Sequence, residues 1–127
     1  MKGVINTAQE KNFENRLKKY LDEYGCWWIK YWAGAAYTKI GIPDLLVSSD
    51  GFFLGIEVKA AHGEPSLLQL RNLKRIRYSG GYGILLYPND FEQFKKFNEH
   101  KTKSNAWYLA NIAEQKRWKI KLEEKEN

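Results

Sequence analysis

The sequence predicts an α/β domain, a mixed sheet of about four strands flanked by helices, and three features carry that expectation. Phe13, Leu17, Tyr20, Leu21 and Tyr24 recur at the spacing of one helix face. Two strand-like runs, Asp44 to Ser48 and Phe52 to Lys59, are separated by Ser49-Asp50-Gly51, a tight-turn signal in which glycine supplies a positive φ. Tyr82 to Tyr87 is almost wholly apolar, as an interior strand covered on both faces must be.

Taken in order, the first helix is expected over about Ala8 to Tyr24, with Gly25 placed to stop it. Cys26 to Trp32 is rich in aromatic and branched residues and reads as a strand, and most of its aromatics are expected in the core. A Gly/Ala-containing loop follows from Ala33 to Gly41, then the hairpin. After the loop His62-Gly63-Glu64-Pro65, Ser66 opens a helix to about Ser79 that Gly80-Gly81 ends. The apolar strand comes next, then a helix from Phe91 to about Asn98 and a last one from Asn105 into the charged C-terminus. No repeat, linker or low-complexity stretch divides the chain.

A length of 127 residues with 43% hydrophobic content suits one domain spanning 1–127, with a core over about 8–98 and a helical extension over about 103–127. Apolar runs such as Ile84-Leu85-Leu86-Tyr87 fall far short of the roughly 20 residues of a membrane span, and the N-terminal segment is too polar for a signal core. A cytoplasmic protein is therefore expected. Cys26 is the sole cysteine, which leaves neither an internal disulfide nor a cysteine-based zinc site. Twenty-one Lys and Arg against fifteen Asp and Glu give a net charge of +6 and a pI near 9.3. That balance favours a polyanionic partner without proving one.

The chemistry concentrates in Gly41-Ile42-Pro43-Asp44, then twelve intervening residues, then Glu57-Val58-Lys59, with Gln69 ten positions further on. Asp44 begins one arm of the hairpin and Glu57 ends the other, so antiparallel pairing brings both carboxylates to one end of the sheet. Glu57 and Lys59, two apart, share a strand face, while Val58 points to the other and can still offer its backbone carbonyl. Two carboxylates so close repel unless a divalent cation sits between them. Mg²⁺, which takes oxygen ligands from one or two carboxylates and a substrate phosphate, is the expected ion, with Mn²⁺ able to replace it. Such an ion activates water and polarises a phosphoryl oxygen, and Lys59 supplies a compact charge beside it.

Together these residues resemble the virus-type replication-repair nuclease (VRR-NUC) family, a branch of the PD-(D/E)XK nucleases related to Holliday junction resolvases, over about residues 9 to 98. The resemblance implies a restriction-endonuclease-like core, Mg²⁺ or Mn²⁺ dependence and hydrolysis of DNA phosphodiester bonds, with branched DNA as the substrate. Asp44 and Glu57 would be metal ligands, Lys59 the catalytic lysine and Gln69 the site glutamine of the following helix. It leaves a phage-encoded origin open. The family also carries a glutamate on its first helix, three residues before an apolar position, and Glu10 precedes Phe13 by three. On a helical wheel Glu10 falls within the apolar stripe and Glu14 at its margin, so Glu10 is the expected acid and Glu14 the alternative.

Each of these residues has a plainer reading. Asp44 after Pro43 can be turn chemistry, and Glu57 with Lys59 an exposed ion pair. Ser66-Leu67-Leu68-Gln69 fits a capping box in which Gln69 reaches back to the Ser66 amide. Arg71, Lys74 and Arg75 share the outer side of that helix, where they can follow a phosphate backbone or merely be solvated. Lys30 and Lys39, with Trp28, Trp32 and Tyr37, lie on or beside the loop before Asp44 and are candidates for gripping DNA. The rival functions are a sequence-specific restriction-like endonuclease and a binding module of the same fold without catalysis. A homodimer is expected because symmetric cutting needs two sites. The side of the last helix carrying Trp107, Tyr108, Ile112, Trp118 and Leu122 is expected to need a partner, unless it packs on its own sheet.

Overall fold

The structure, a computed structural model, describes residues 2–32 and 39–126, with side chains from Thr7 onward. Helix α1 (Lys2–Tyr24) leads into strand β1 (Trp27–Lys30), and β2 (Leu45–Ser49) and β3 (Phe52–Val58) form the hairpin. Helix α2 (Leu67–Tyr78), β4 (Tyr82–Leu86), a 3-10 turn (Pro88–Asp90), α3 (Phe91–Glu99) and α4 (Ala106–Glu126) complete the chain. The sheet runs β1-β2-β3-β4. Its first three strands are antiparallel and β4 lies parallel to β3, which makes the expected mixed four-stranded sheet. Tyr37 lies outside the described residues.

The hairpin closes through Ser49 opposite Phe52, with Asp50 at φ 53° and Gly51 at φ 83°. Both central residues of this two-residue turn are left-handed, the backbone that matches the twist of paired strands. Period-two alternation then sorts the sheet into two faces. Leu45, Val47, Leu54, Ile56, Val58, Ile84 and Leu86 meet Phe13, Leu17 and Leu21 of α1 and Phe91, Phe94 and Phe97 of α3 in the main core. On the other face Leu70 and Leu73 of α2 close over Leu85. Contact there is close enough to need a glycine: a Cβ on Gly83 would stand 2.3 Å from the Leu73 carbonyl oxygen and 3.0 Å from its carbon. Backbone cannot move aside as a flexible side chain can. Gly83→Ala is therefore expected to destabilise the fold by about 3 kcal/mol, read as a lower midpoint in urea with an unchanged slope.

The expectation that the apolar side of the last helix needs another chain is corrected. Tyr108 is buried in the main core, with Trp107 and Ile112 packed against it, and Trp118 and Leu122 pack against Leu70, Leu73 and Leu85. Two buried amides of α4 also serve β4. Asn111 Nδ2 donates to the Leu85 carbonyl at 2.7 Å and Asn111 Oδ1 accepts the Leu85 amide at 3.0 Å. Gln115 Nε2 donates to the Gly83 carbonyl at 2.9 Å. As the last strand of the sheet, β4 has one edge without a strand neighbour, and these side chains answer its backbone groups as a further strand would. The extension is therefore integral to the packed fold.

A second correction concerns the aromatics after Gly25. Trp28 packs against the core, whereas Trp27 is 65% and Trp32 73% exposed. For Trp27 the cause is topological: β1 is an edge strand, and only its alternate positions face α1; Trp32 lies beyond the end of β1. No described helix is long and apolar enough to cross a membrane.

Candidate active site

At the end of the sheet where β2 starts and β3 finishes, Leu45 pairs with Ile56, which puts Asp44 and Glu57 side by side one step further on. The loop before Asp44 is tied to α2, because Asn72 Nδ2 donates to the Gly41 carbonyl at 2.9 Å. Gly41 sits at φ 77° with no room for a side chain between Leu68 and Asn72. Asp44 Oδ2 accepts the Val58 amide at 2.8 Å, which locks the carboxylate across the strand end. Since the N–H and C=O of a strand residue leave on the same side, the Val58 carbonyl also points toward Asp44.

Glu57 is 2% exposed. Its Oε2 lies 3.4 Å from Lys59 Nζ, while its Oε1 is buried without a hydrogen-bond partner. Burial first, and then the charge of Asp44, push its pKa up to about 8. A buried carboxylate oxygen lacking any donor is costly, and a cation is what such an atom can accept. Oxygen donors from two carboxylates and a carbonyl suit a hard divalent ion, with water or phosphate filling its remaining positions. Among the described residues no three acidic, imidazole or thiol groups converge as a ready-made cage.

The helix-one acids are placed differently from the wheel expectation. Glu14, assigned to the margin, is only 8% exposed; it lies one turn before Leu17 and two before Leu21, on the row that α1 actually buries. Glu10 is half-buried, with its pKa raised by burial and by the charge of Asp44, against an opposing pull from Lys59. Glu10 thus feels the hairpin groups, whereas Glu14 ion-pairs with Lys18 at 3.2 Å and Lys30 at 2.5 Å.

Lys30, a candidate for gripping DNA, has its Nζ between Glu14 and Asp44, 3.4 Å from Asp44 Oδ1. Burial would lower its pKa, but the hydrogen bond to Glu14 and the charge of Asp44 raise it overall. The signal was present in Trp27-Trp28-Ile29-Lys30, where alternation puts Lys30 on the same face as the core-packed Trp28. Gln69 forms the capping box: its Oε1 accepts the Ser66 amide at 2.9 Å and Ser66 Oγ accepts its own amide at 3.1 Å. No hydrogen bond joins it to Asp44, Glu57 or Lys59.

Of the other basic candidates, Arg71 and Arg75 are exposed along α2, and Lys74 lies over the Tyr78 ring at 5.2 Å. Lys39 is exposed, and its amide donates to the Tyr31 hydroxyl at 2.8 Å.

The chain matches the family described as "Archaeal holliday junction resolvase (hjc)" over residues 6–124. A solved structure described as a VRR_NUC domain is 25% identical and superposes with a TM-score of 0.54, over 74% of this chain and 98% of that one. No curated protein matches the chain. The hairpin acids, the mixed sheet and the matched family agree, and the chain belongs to the archaeal Holliday junction resolvase family of PD-(D/E)XK nucleases, with a VRR-NUC domain as structural neighbour.

Proposed function

We infer that the protein is a metal-dependent endonuclease that hydrolyses phosphodiester bonds of branched DNA, such as four-way Holliday junctions. The observation that carries this reading is the buried Glu57, one oxygen unpartnered, beside Asp44 and Lys59 at the open end of the sheet. Asp44, Glu57 and the Val58 carbonyl would hold Mg²⁺ or Mn²⁺, with Glu10 completing the acidic rim. When bound, such an ion supplies the charge that polarises a phosphoryl oxygen and lowers the pKa of an attacking water. Lys59, at 3.4 Å from Glu57, neutralises charge growing on the phosphate. Gln69, its oxygen turned to Ser66, serves the site by fixing the start of α2.

Lys39, Arg71, Lys74 and Arg75 would follow the DNA backbone, and phosphate contacts of this kind position without reading sequence. The chain acts as a homodimer in this reading, because one site cuts one strand and symmetric resolution requires two. The apolar side of α4 is occupied within the chain, whereas Trp27, Ile29 and Phe53 remain exposed on the sheet.

The test is incubation with single-stranded, duplex, flap and four-way DNA in Mg²⁺, Mn²⁺ or EDTA. Preferred cutting of the four-way junction with metal, and none in EDTA, is expected. Sedimentation should give twice the 14.9 kDa chain mass. Reversing charge at Arg71 and Arg75 should weaken all DNA substrates alike and reduce the salt slope of binding by on the order of two. Junctions bound but left uncut under every metal condition would return the protein to a binding role.

A further inference from the structure

Trp32 is 73% exposed, yet it stands beside the hairpin acids. The Tyr31 amide donates to the Asp44 carbonyl at 2.9 Å, so Trp32 lies one residue past the level of that acid, at the open end of the sheet. Lys30 Nζ marks the distance: it is 3.4 Å from Asp44 Oδ1 and 5.5 Å from the centroid of the Trp32 ring. A ring this exposed, with a cation over one face, has its other face open to water. The Tyr31 hydroxyl accepts the Lys39 amide at 2.8 Å, which brings the exposed Lys39 back to the same lip. Leaving so large a ring in water forfeits the burial that would stabilise the fold. An aromatic platform with cations beside it is the composition of surfaces that stack bases and hold their phosphates. Trp28, by contrast, packs on the core and donates from Nε1 to Asp22 at 2.8 Å.

We propose that Trp32 is a substrate-binding residue that stacks on a base face bared at a branch point or in a single strand, next to the phosphate to be cut. This rests on the nuclease reading of Asp44 and Glu57. Within an uninterrupted duplex each base is covered on both faces by its neighbours, so the ring finds nothing to stack on. At a branch point the neighbour is missing from one face, and the indole takes its place. Trp32 thereby favours branched and single-stranded DNA over duplex, and does so for any base, since every base has a π-face.

Binding of the full chain in EDTA to a four-way junction and to a duplex of the same arm sequence tests this, with 2-aminopurine placed beside the branch point. Trp32→Ala is expected to weaken junction binding about tenfold and duplex binding by about twofold at most. The 2-aminopurine should be brighter in the Trp32→Ala complex than in the native one, because its stacking partner is gone. Trp32→Phe should keep most of the junction preference, whereas Trp32→Leu, apolar but without a π-face, should lose it as Trp32→Ala does. Native junction binding by Trp32→Leu would reduce the contact to apolar packing and overturn the proposal. Equal losses on junction and duplex would overturn it too, since they would mark a general loss of structure or charge. Thermal melts confirm that each variant is folded, and should Trp32→Ala not fold, Trp32→Leu carries the comparison. Metal-dependent cutting by the native chain, with junction preference unchanged in Trp32→Leu, removes this inference alone. A native chain that binds no DNA removes it together with the nuclease reading.

Discussion

Asp44→Asn and Glu57→Gln are each expected to lower metal-supported DNA cleavage by on the order of a thousandfold or more while leaving DNA binding intact or tighter. Each removes a carboxylate from the pair that would hold the ion, and also one negative charge that repels phosphate. Their effects on the fold should diverge. Glu57 is buried with an unpartnered oxygen and an acid pKa near 8, so its amide replaces a poorly solvated acid and should raise the melting temperature in EDTA. Asp44 faces Lys30 and accepts the Val58 amide; asparagine retains an acceptor for that amide but loses the ion pair, so stability should hold or fall slightly. Single-turnover cleavage of a four-way junction, with melts on the same preparations, reads both effects. Native rates in either variant would take that residue out of the site.

What the sequence made legible follows from where its signals are local. Asp50-Gly51 between two alternating runs specifies a two-residue hairpin, and once that register holds, Asp44 and Glu57 must converge. Lys30 was harder because its role depends on β1 pairing with β2 across a loop, a contact that no short spacing encodes. The wheel misjudged Glu14 because it weighs angle and not position along the helix: Glu14 lies between Phe13 and Leu17, both buried, whereas Glu10 lies nearly a turn closer to the helix start than Phe13, where α1 is covered less. The role of α4 was only half visible. Its apolar residues were legible from periodicity, but nothing in the spacing of Asn111 and Gln115 marks them as buried, and only the position of β4 at the edge of the sheet gives them backbone to satisfy. Gln69 had two legible roles, and the local one, four residues of capping box, is what its oxygen serves in the folded chain.

Glu57 should also couple folding, protons and metal. Its pKa is raised from 4.5 to about 8, by burial above all and then by Asp44. Below the lower value both folded and unfolded chains hold the proton, and Glu57 costs nothing. Between the two values the folded chain keeps a proton that the unfolded chain has released, so stability falls as pH rises, by up to about 1.4 kcal/mol per unit from this group. Above the folded pKa the penalty is complete and constant. A divalent ion binds the carboxylate form, so at pH 7 its binding should expel close to one proton, and the stabilisation it confers should grow with pH up to about 8. Titration calorimetry with Mg²⁺ or Mn²⁺ in buffers of different ionisation enthalpy counts that proton, and urea unfolding in EDTA from pH 5 to 9 gives the slope. Glu57→Gln should release no such proton and should flatten the pH dependence. Proton release by that variant equal to the native chain's would assign the titration to another group and leave Glu57 ionised at neutral pH.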